Sequence, residues 1–320
     1  MSLSRRRFLG TVVASAALRS TGAAASPVLT VAATTGMVAD AARVVGGDRV
    51  AVQALMGPGV DPHSFRQTRS DIAAMTRADL VLWHGLYLEA QLEGFLLDLA
   101  ARKPVAALGE AVPRSRLLED PEAPGRFDPH IWMDPRLWAF AVDGARRALT
   151  EVDPDGAETY GRNAMRHHEE IAALADYADA ALGSVPQEAR VLVTSHDAFG
   201  YLGAAWGFEV LGVQGISTEA EAGLARIEDL VKTLVSRRIG AVFVETSVSP
   251  RNLQALVEGA AAQGHEVRIG GELFSDAMGP EGTYEGTYVG MIDHNVTTIA
   301  RALGGQAPAA GLNGLLRAQG

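Results

Sequence analysis

The alternation of strand-like and helix-like segments is the feature that most limits the folds open to this chain. Apolar runs such as "PVLTVAATT", "DLVLWHG", "ARVLVTS" and "GAVFVET" are each followed by a segment with apolar residues at helical spacing. Strands that alternate with helices in this way form parallel sheets that the helices cover. The sequence therefore predicts an α/β fold, and the pattern occurs once in each half of the chain.

A long segment without helix breakers separates the two halves. From Asp153 to Leu182 the chain has no breaker after Gly161, and Pro154 lies near the first turn of the predicted helix. We therefore expect two lobes, each a mainly parallel sheet with flanking helices, joined by this one long α-helix. The predicted boundaries are 26–150 for the first lobe, 151–184 for the connecting helix and 185–320 for the second lobe.

Residues 1–25 are interpreted as an export signal that is removed from the mature protein. They contain an arginine cluster, an apolar stretch at 8–18 and an Ala-x-Ala sequence that ends at Ala25. The segment "SRRRFL" resembles a twin-arginine signal, which directs the export of folded proteins; an ordinary Sec signal is the alternative. The apolar stretch is too short for a membrane span, and no later segment reaches about 18 uninterrupted apolar residues. We expect a soluble mature protein.

The composition excludes several classes of function. The chain has 0 cysteines, which excludes disulfides, thiolate metal sites, cysteine nucleophiles and a lipid anchor on an N-terminal cysteine. Loss of residues 1–25, with four arginines and no acidic residue, would change the net charge from −10 to −14. Such a charge argues against nucleic acid or an anionic membrane surface as a partner. An exported protein without a lipid is expected in a bacterial periplasm.

Polar residues at the ends of predicted strands are the candidate binding residues, because ligands of open parallel sheets bind beyond the carboxyl ends of the strands. His63 and His130 each follow an Asp-Pro turn, in "VDPHSF" and "FDPHIW", and proline restricts the backbone before each imidazole. His196 follows "RVLVTS", and Glu272 and Asp276 follow "HEVRIGG". Three imidazoles and a carboxylate suit Zn²⁺ or Mn²⁺. Spacing alone leaves open that these are solvated loop histidines.

Six motifs, in order, resemble those of a known family. They are "VDPHSFRQTRSDI", "DLVLWHGLYLE", "DPHIWMDP", "TSHDAFGYL", "GVQGISTEAEAGLARI" and "AVFVETSVSP". Together they are similar to the motifs of zinc- and manganese-binding solute receptors of bacterial ABC transporters, of the cluster A-I type. The resemblance covers essentially the whole mature chain.

This resemblance implies a metal site in the cleft between two lobes, with two ligands from each lobe. By motif, the ligands are His63 and His130 from the first lobe and His196 and Asp276 from the second. It leaves open whether Glu272 or His84 contributes. The implied protein is not an enzyme: it acts as a monomer, carries the ion, and docks on a membrane permease whose paired ATPase drives uptake.

The choice of metal and two other functions stay open. A cage of three nitrogens and one oxygen favours zinc, as does the Irving-Williams order. Residues 109–129, however, lack the His-rich loop of zinc-restricted relatives, and "GVQGISTEAEAG" resembles receptors linked with manganese as well as zinc. A zinc hydrolase and a metal-binding surface adhesin are the alternative functions. Because neutral imidazole is required, metal binding is expected to weaken as the pH falls through about 6.5.

The other histidines are interpreted as structural or solvated side chains. His265 begins a predicted strand, and His294 lies within the last predicted helix. His167 and His168 lie in the connecting helix, where adjacent residues point about 100° apart and cannot both face one site. We expect both to lie on the surface.

Overall fold

Two parallel sheets, one in each half of the chain, form the framework of the computed structural model, which describes residues 28–316. The predicted export signal at 1–25 lies outside the described residues. In the first lobe the strands are β1 (Leu29–Ala33), β2 (Val50–Ala54), β3 (Leu80–Trp83) and β4 (Val105–Ala107), in the spatial order β2-β1-β3-β4. The first-lobe helices are α1 (Gly36–Gly46), α2 (Arg69–Arg77), α3 (Ala90–Ala100) and α4 (Pro135–Val152).

The second lobe repeats this arrangement after one long helix, α5 (Ala157–Gly183). Its strands are β5 (Val191–Thr194), β6 (Glu209–Gly212), β7 (Ala241–Glu245) and β8 (Arg268–Leu273), in the order β6-β5-β7-β8. Its helices are α6 (Gly200–Trp206), α7 (Leu224–Arg237), α8 (Arg251–Ala262) and α9 (Tyr288–Ala302). The prediction of two α/β lobes joined by one long α-helix is confirmed.

Burial explains why the sequence shows these strands so clearly. The inner strands β3 and β5 are buried along their whole length, as expected for a parallel sheet with both faces covered, and they read as unbroken apolar runs. The edge strands β2 and β8 are only partly buried. The helices also begin where local chemistry favours it: Asp134 accepts a hydrogen bond from the N–H of Arg136, and Pro135 occupies the first turn of α4.

The two lobes share one hydrophobic core. The helix α5 contacts α1 and α4 of the first lobe and α9 of the second. The Trp138 ring of α4 stacks on the Tyr288 ring of α9, with 5.3 Å between ring centroids. Asp40 of α1 accepts a hydrogen bond of 3.1 Å from the backbone N–H of Tyr288, so a first-lobe carboxylate satisfies the N-terminus of a second-lobe helix. The lobes are therefore held together by more than the connecting helix.

The expectation for His167 was wrong. Its side chain is buried, and its Nδ1 lies 2.8 Å from Oε2 of Glu170. The physical reason is that α5 is packed by helices of both lobes on several sides, so more of its circumference is covered than for a surface helix. His168, one residue on, is only partly exposed.

The lengths and ends of the helices bear on the predicted membrane topology and lobe boundaries. Among the described residues, no helix is both long and apolar enough to cross a membrane. The helix α4 ends at Val152 and α5 ends at Gly183, whereas the lobe boundaries at 150/151 and 184/185 stay a prediction.

Candidate metal centre

Four side chains from four loops converge between the two sheets. His63 lies between β2 and α2, His130 between β4 and α4, His196 directly after β5, and Asp276 between β8 and α9. One ligand atom from each side chain lies within 4.8 Å of the others. The structure thus brings together the four residues that the family resemblance implies as ligands, two from each lobe.

The cluster is buried and its members are close enough to share one ion. All four residues are at most 3% exposed. The Asp276 carboxylate is nearest to the centre: Oδ1 lies 3.3 Å from His130 Nε2, and Oδ2 lies 3.1 Å from His196 Nε2 and 3.8 Å from His63 Nε2. The Nε2 atoms of His63 and His130 are 3.3 Å apart. All three imidazoles therefore present Nε2 to one point beside a carboxylate.

Two carboxylates outside the cluster orient two of the imidazoles. Asp128 Oδ1 accepts from His130 Nδ1 at 2.7 Å and from the His130 backbone N–H at 2.9 Å. Glu245 at the end of β7 accepts from His196 Nδ1 at 2.5 Å and from the His196 backbone N–H at 2.9 Å. Because each Nδ1 carries the donated proton, the neutral form of each imidazole turns the lone pair of its Nε2 toward the centre.

The loop that carries His63 is held by hydrogen bonds, and one of them comes from the second lobe across the cleft. Asp61 Oδ1 accepts from the His63 backbone N–H at 2.9 Å, and its Oδ2 accepts from Ser64 Oγ at 2.8 Å. The same Oδ2 accepts from Thr218 Oγ1 of the second lobe at 2.6 Å. A second hydrogen bond across the cleft joins Gln91 Nε2 to Glu219 Oε1. The 217–219 loop of the second lobe thus closes over the His63 loop.

Burial and neighbouring charges shift the pKa values of the cluster in opposite directions. Burial lowers the pKa of His63 to about 3. Burial also acts to lower the pKa of His130, but the carboxylates of Asp128 and Asp276 outweigh it and raise that pKa to about 9. At His196 the carboxylates of Asp276 and Glu245 likewise overcome burial and hold the pKa well above its ordinary value.

The imidazoles of the cluster in turn shift the pKa of Asp276. Burial acts to raise it, and His196 and His130 overcome this and hold it well below its ordinary value. Without a cation, the carboxylate is thus ionised and His130 and His196 hold protons near neutral pH. Any cation that enters must displace those protons.

The two residues left open by the sequence lie outside the cluster. His84 is fully buried, and its Nε2–H donates to the carbonyl of Pro129 at 2.7 Å, directly before His130. Its ring lies edge-on to Trp132, with 4.9 Å between centroids. His84 therefore packs behind the His130 loop. Glu272 is an exposed residue of β8 and does not belong to the four-residue group.

Glu245 was missed by the sequence interpretation, and Asp128 was interpreted only as part of a rigid turn. For Glu245 a signal existed, because it ends the apolar strand "AVFVE" at the edge of the sheet where ligands bind. For Asp128 the signal was the Asp-Pro-His order itself, since an Asp two residues before a histidine can reach both its backbone N–H and its ring.

Comparison with known families gives a match over most of the chain. The family described as zinc-uptake complex component A, periplasmic, matches residues 31–302. The manganese-binding lipoprotein MntA of Bacillus subtilis is 44% identical over 285 residues, which are 89% of this chain and 92% of the relative. The zinc-binding protein TroA of Treponema pallidum is 42% identical over 273 residues, 85% of this chain and 88% of the relative.

Solved structures agree with this similarity. The periplasmic zinc-binding protein TroA from Treponema pallidum superposes with a TM-score of 0.84 at 41% sequence identity. The match covers 86% of this chain and 99% of that one. Among the sequence relatives, the iron-binding protein YfeA of Yersinia pestis is more distant, at 31% identity over 94% of this chain and 96% of its own length.

Proposed function

The chain belongs to the family of periplasmic zinc-uptake component A proteins, and from this membership we propose that it is a receptor for divalent zinc or manganese. It would bind the ion in the periplasm and deliver it to an ABC importer. The observation that carries the proposal is the buried cluster of His63, His130, His196 and Asp276, to which each lobe contributes two side chains. We propose these four as the ligands.

The unpaired polar atoms of the cluster support a cation as the missing partner. His196 Nε2 and both carboxylate oxygens of Asp276 are buried and make no aligned hydrogen bond within residues 28–316. Buried polar atoms are normally paired, and groups left unpaired call for a bound species. Three neutral imidazole nitrogens and an ionised carboxylate are a donor set that divalent zinc and manganese both accept.

The names of the relatives do not separate the metals, since the three are described as manganese-, zinc- and iron-binding. At equal availability the Irving-Williams order favours zinc in a site rich in imidazole. We therefore propose zinc and manganese as the transported ions, with the loaded metal set by supply. We propose a receptor rather than a hydrolase or an adhesin, because the matching family is described as a zinc-uptake component and a zinc ion with four protein ligands has no open position for a catalytic water.

In this cycle the ion links the two lobes. His63 and His130 hold it from the first lobe, and His196 and Asp276 hold it from the second. The loaded receptor, as a monomer, would then dock on a membrane permease whose paired ATPase drives uptake.

The location of the mature protein is also part of the proposal. We propose that residues 1–25 are a cleaved twin-arginine signal and that the mature protein is a periplasmic protein without a lipid, since the chain has 0 cysteines. The Bacillus subtilis relative, in contrast, is named a lipoprotein. The intact mass of the exported protein tests this, because cleavage after Ala25 without a lipid gives a defined value and an acyl chain would contradict it.

Native mass spectrometry with elemental analysis, on protein purified from the periplasm of its own host, tests the proposed function. We expect one divalent ion per monomer, either zinc or manganese. Protein that comes out metal-free and then fails to take up either ion from solution would contradict the proposal. A hydrolase assay on the same sample separates the two classes, because turnover would favour an enzyme.

Replacement of Glu245 by glutamine should weaken metal binding by roughly 10-fold, the lower end of the range for residues that orient metal ligands. The amide oxygen can accept from only one of the two His196 donors that Glu245 binds, and the amide lacks the negative charge that makes the imidazole a stronger donor to the ion. Competition against a chromophoric chelator measures the loss. Glu89→Gln is the matched control: Glu89 is also buried and accepts from the backbone N–H of His84, but it contacts none of the proposed ligands. Equal losses in both variants would contradict this role of Glu245.

Replacement of Thr218 by valine should speed metal dissociation by about 2- to 10-fold, the equivalent of one hydrogen bond. Valine keeps the shape of threonine but removes the hydroxyl that donates to Asp61 across the cleft. Stopped-flow transfer of the metal to a chelator measures the rate. Ser217→Ala is the control, because the hydrogen bond of Ser217 Oγ in the described part of the chain lies within its own loop, from the N–H of Glu219. An unchanged rate in Thr218→Val would show that this contact does not retain the ion.

A further inference from the structure

The loop that carries Asp276 is clamped by one buried asparagine. Asn295 of α9 is 1% exposed. Its Oδ1 accepts from the Phe274 backbone N–H at 2.9 Å, and its Nδ2 donates to the Phe274 carbonyl at 2.7 Å. One side-chain amide thus satisfies both backbone groups of a residue two positions before the proposed ligand.

A first-lobe tryptophan holds the next residue. Trp132 Nε1–H donates to the carbonyl of Ser275 at 2.8 Å, and Trp132 is fully buried. The Trp132 carbonyl in turn accepts from the Tyr288 hydroxyl of α9 at 2.9 Å. The two residues before Asp276 are therefore fixed by side chains of both lobes.

The carboxylate of Asp276 contacts the imidazoles of the cluster, 3.1 Å from His196 Nε2 and 3.3 Å from His130 Nε2, but within residues 28–316 no group outside the cluster orients it. Both of its oxygens lack an aligned hydrogen bond within the described part of the chain, unlike His130 and His196, whose rings are oriented by Asp128 and Glu245. The position of the carboxylate must therefore come from the backbone of residues 274–276, which is the part that Asn295 and Trp132 hold.

We propose that Asn295, together with Trp132, is a positioning residue that places the Asp276 carboxylate and thereby strengthens the binding of manganese relative to that of zinc. This rests on the proposed function of the cluster. Asp276 supplies the only oxygen ligand among the four proposed ligands, and manganese favours oxygen donors whereas zinc binds well to imidazole nitrogen. A displaced carboxylate therefore weakens manganese binding more than zinc binding.

The test compares Asn295→Ala with the wild type in both metals. We expect the affinity for Mn²⁺ to fall by about 100-fold and that for Zn²⁺ by about 10-fold, within the range measured for residues that orient ligands. The electronic spectrum of the Co²⁺-loaded variant should change as well, because band intensity follows coordination geometry. A purely structural role of Asn295 would lower the melting temperature and leave the metal ratio and the spectrum unchanged.

Asn163→Ala is the matched control. Asn163 of α5 also anchors a backbone carbonyl between two helices, by a hydrogen bond of 2.9 Å from Nδ2 to the carbonyl of Val45. It lies away from the four proposed ligands, so we expect its loss to affect stability but neither affinity. Trp132→Phe is the second variant, and it tests the positioning role if Asn295→Ala does not fold. Phenylalanine keeps an aromatic ring but lacks the N–H that donates to the carbonyl of Ser275.

The outcomes separate this inference from the proposed function. A wild-type protein that binds neither metal would overturn the proposed function. A wild-type protein that binds both, with an unchanged ratio of Mn²⁺ to Zn²⁺ affinity in the folded variants, would overturn the role of Asn295 and Trp132 alone.

Discussion

Replacement of Asp276 by alanine should lower the affinity for zinc by about 100- to 1000-fold. The free energy of zinc binding to structural sites with four ligands is about 10–16 kcal/mol. A quarter of that free energy, for one ligand, corresponds to a loss of affinity of this size. The carboxylate lies within 3.8 Å of all three imidazoles and is the one anionic group among the four. Chelator competition on purified protein measures the change.

Asp276→Asn serves as the control for shape. The amide keeps one oxygen in the same place but carries no charge, so an intermediate loss is expected. If Asp276→Ala binds zinc as tightly as the wild type does, Asp276 is not a ligand. Glu272→Ala then tests the neighbouring carboxylate, for which we expect no change because that side chain lies outside the cluster.

Metal binding should weaken as the pH falls from 8 to 6, by about 10-fold per pH unit for each imidazole proton that the ion displaces. The pKa of His130 is raised to about 9 and that of His196 lies well above its ordinary value, so both imidazoles hold a proton that the ion must displace. His63, with its pKa lowered to about 3, contributes no proton. The loss therefore begins at a higher pH than the value of about 6.5 expected from free imidazole.

Protonation of His130 opposes metal binding, but it stabilises the fold of the metal-free protein. Because the pKa of His130 is higher in the folded chain than in the unfolded chain, its protonation stabilises the metal-free fold fully below about pH 6.5. That stabilisation is lost as the pH rises through about 9. His63 and His84, with pKa values lowered to about 3, act against the fold only below about pH 6.5. Because loss of the metal begins at a higher pH, acid should release the ion before it unfolds the receptor.

Calorimetry in buffers of different ionisation enthalpy counts the released protons. About two are expected for the wild type at pH 7. Fewer are expected for Asp276→Asn, because Asp276 helps to raise the pKa of both imidazoles. A wild-type protein whose affinity is the same at pH 6 and pH 8 would contradict the protonated state of His130 and His196.

The sequence predicted those parts of the fold and site that depend on local pattern. Inner strands such as β3 and β5 are buried on both faces, so their apolar runs are unmistakable. The helix α5 was recognisable because nothing in it interrupts helical geometry. His63 and His130 stood out because an Asp-Pro turn precedes each of them.

What the sequence could not give depends on contacts between distant segments. Asn295 is a polar residue of a helix, and nothing in its neighbours tells that its amide reaches the backbone of Phe274. His167 was placed on the surface because the packing of α1, α4 and α9 around α5 is a tertiary property. Part of the upward shift of the His130 pKa comes from Asp276, which is distant in sequence and belongs to the other lobe.

The core shared by the two lobes has a consequence for the order of folding. The largest apolar cluster takes residues from α1 and α4 as well as from α9, whereas two smaller clusters each lie within one lobe. The largest cluster is therefore incomplete until the last helix, Tyr288–Ala302, has been synthesised. Such a chain gains little from domain-by-domain folding as it emerges from the ribosome.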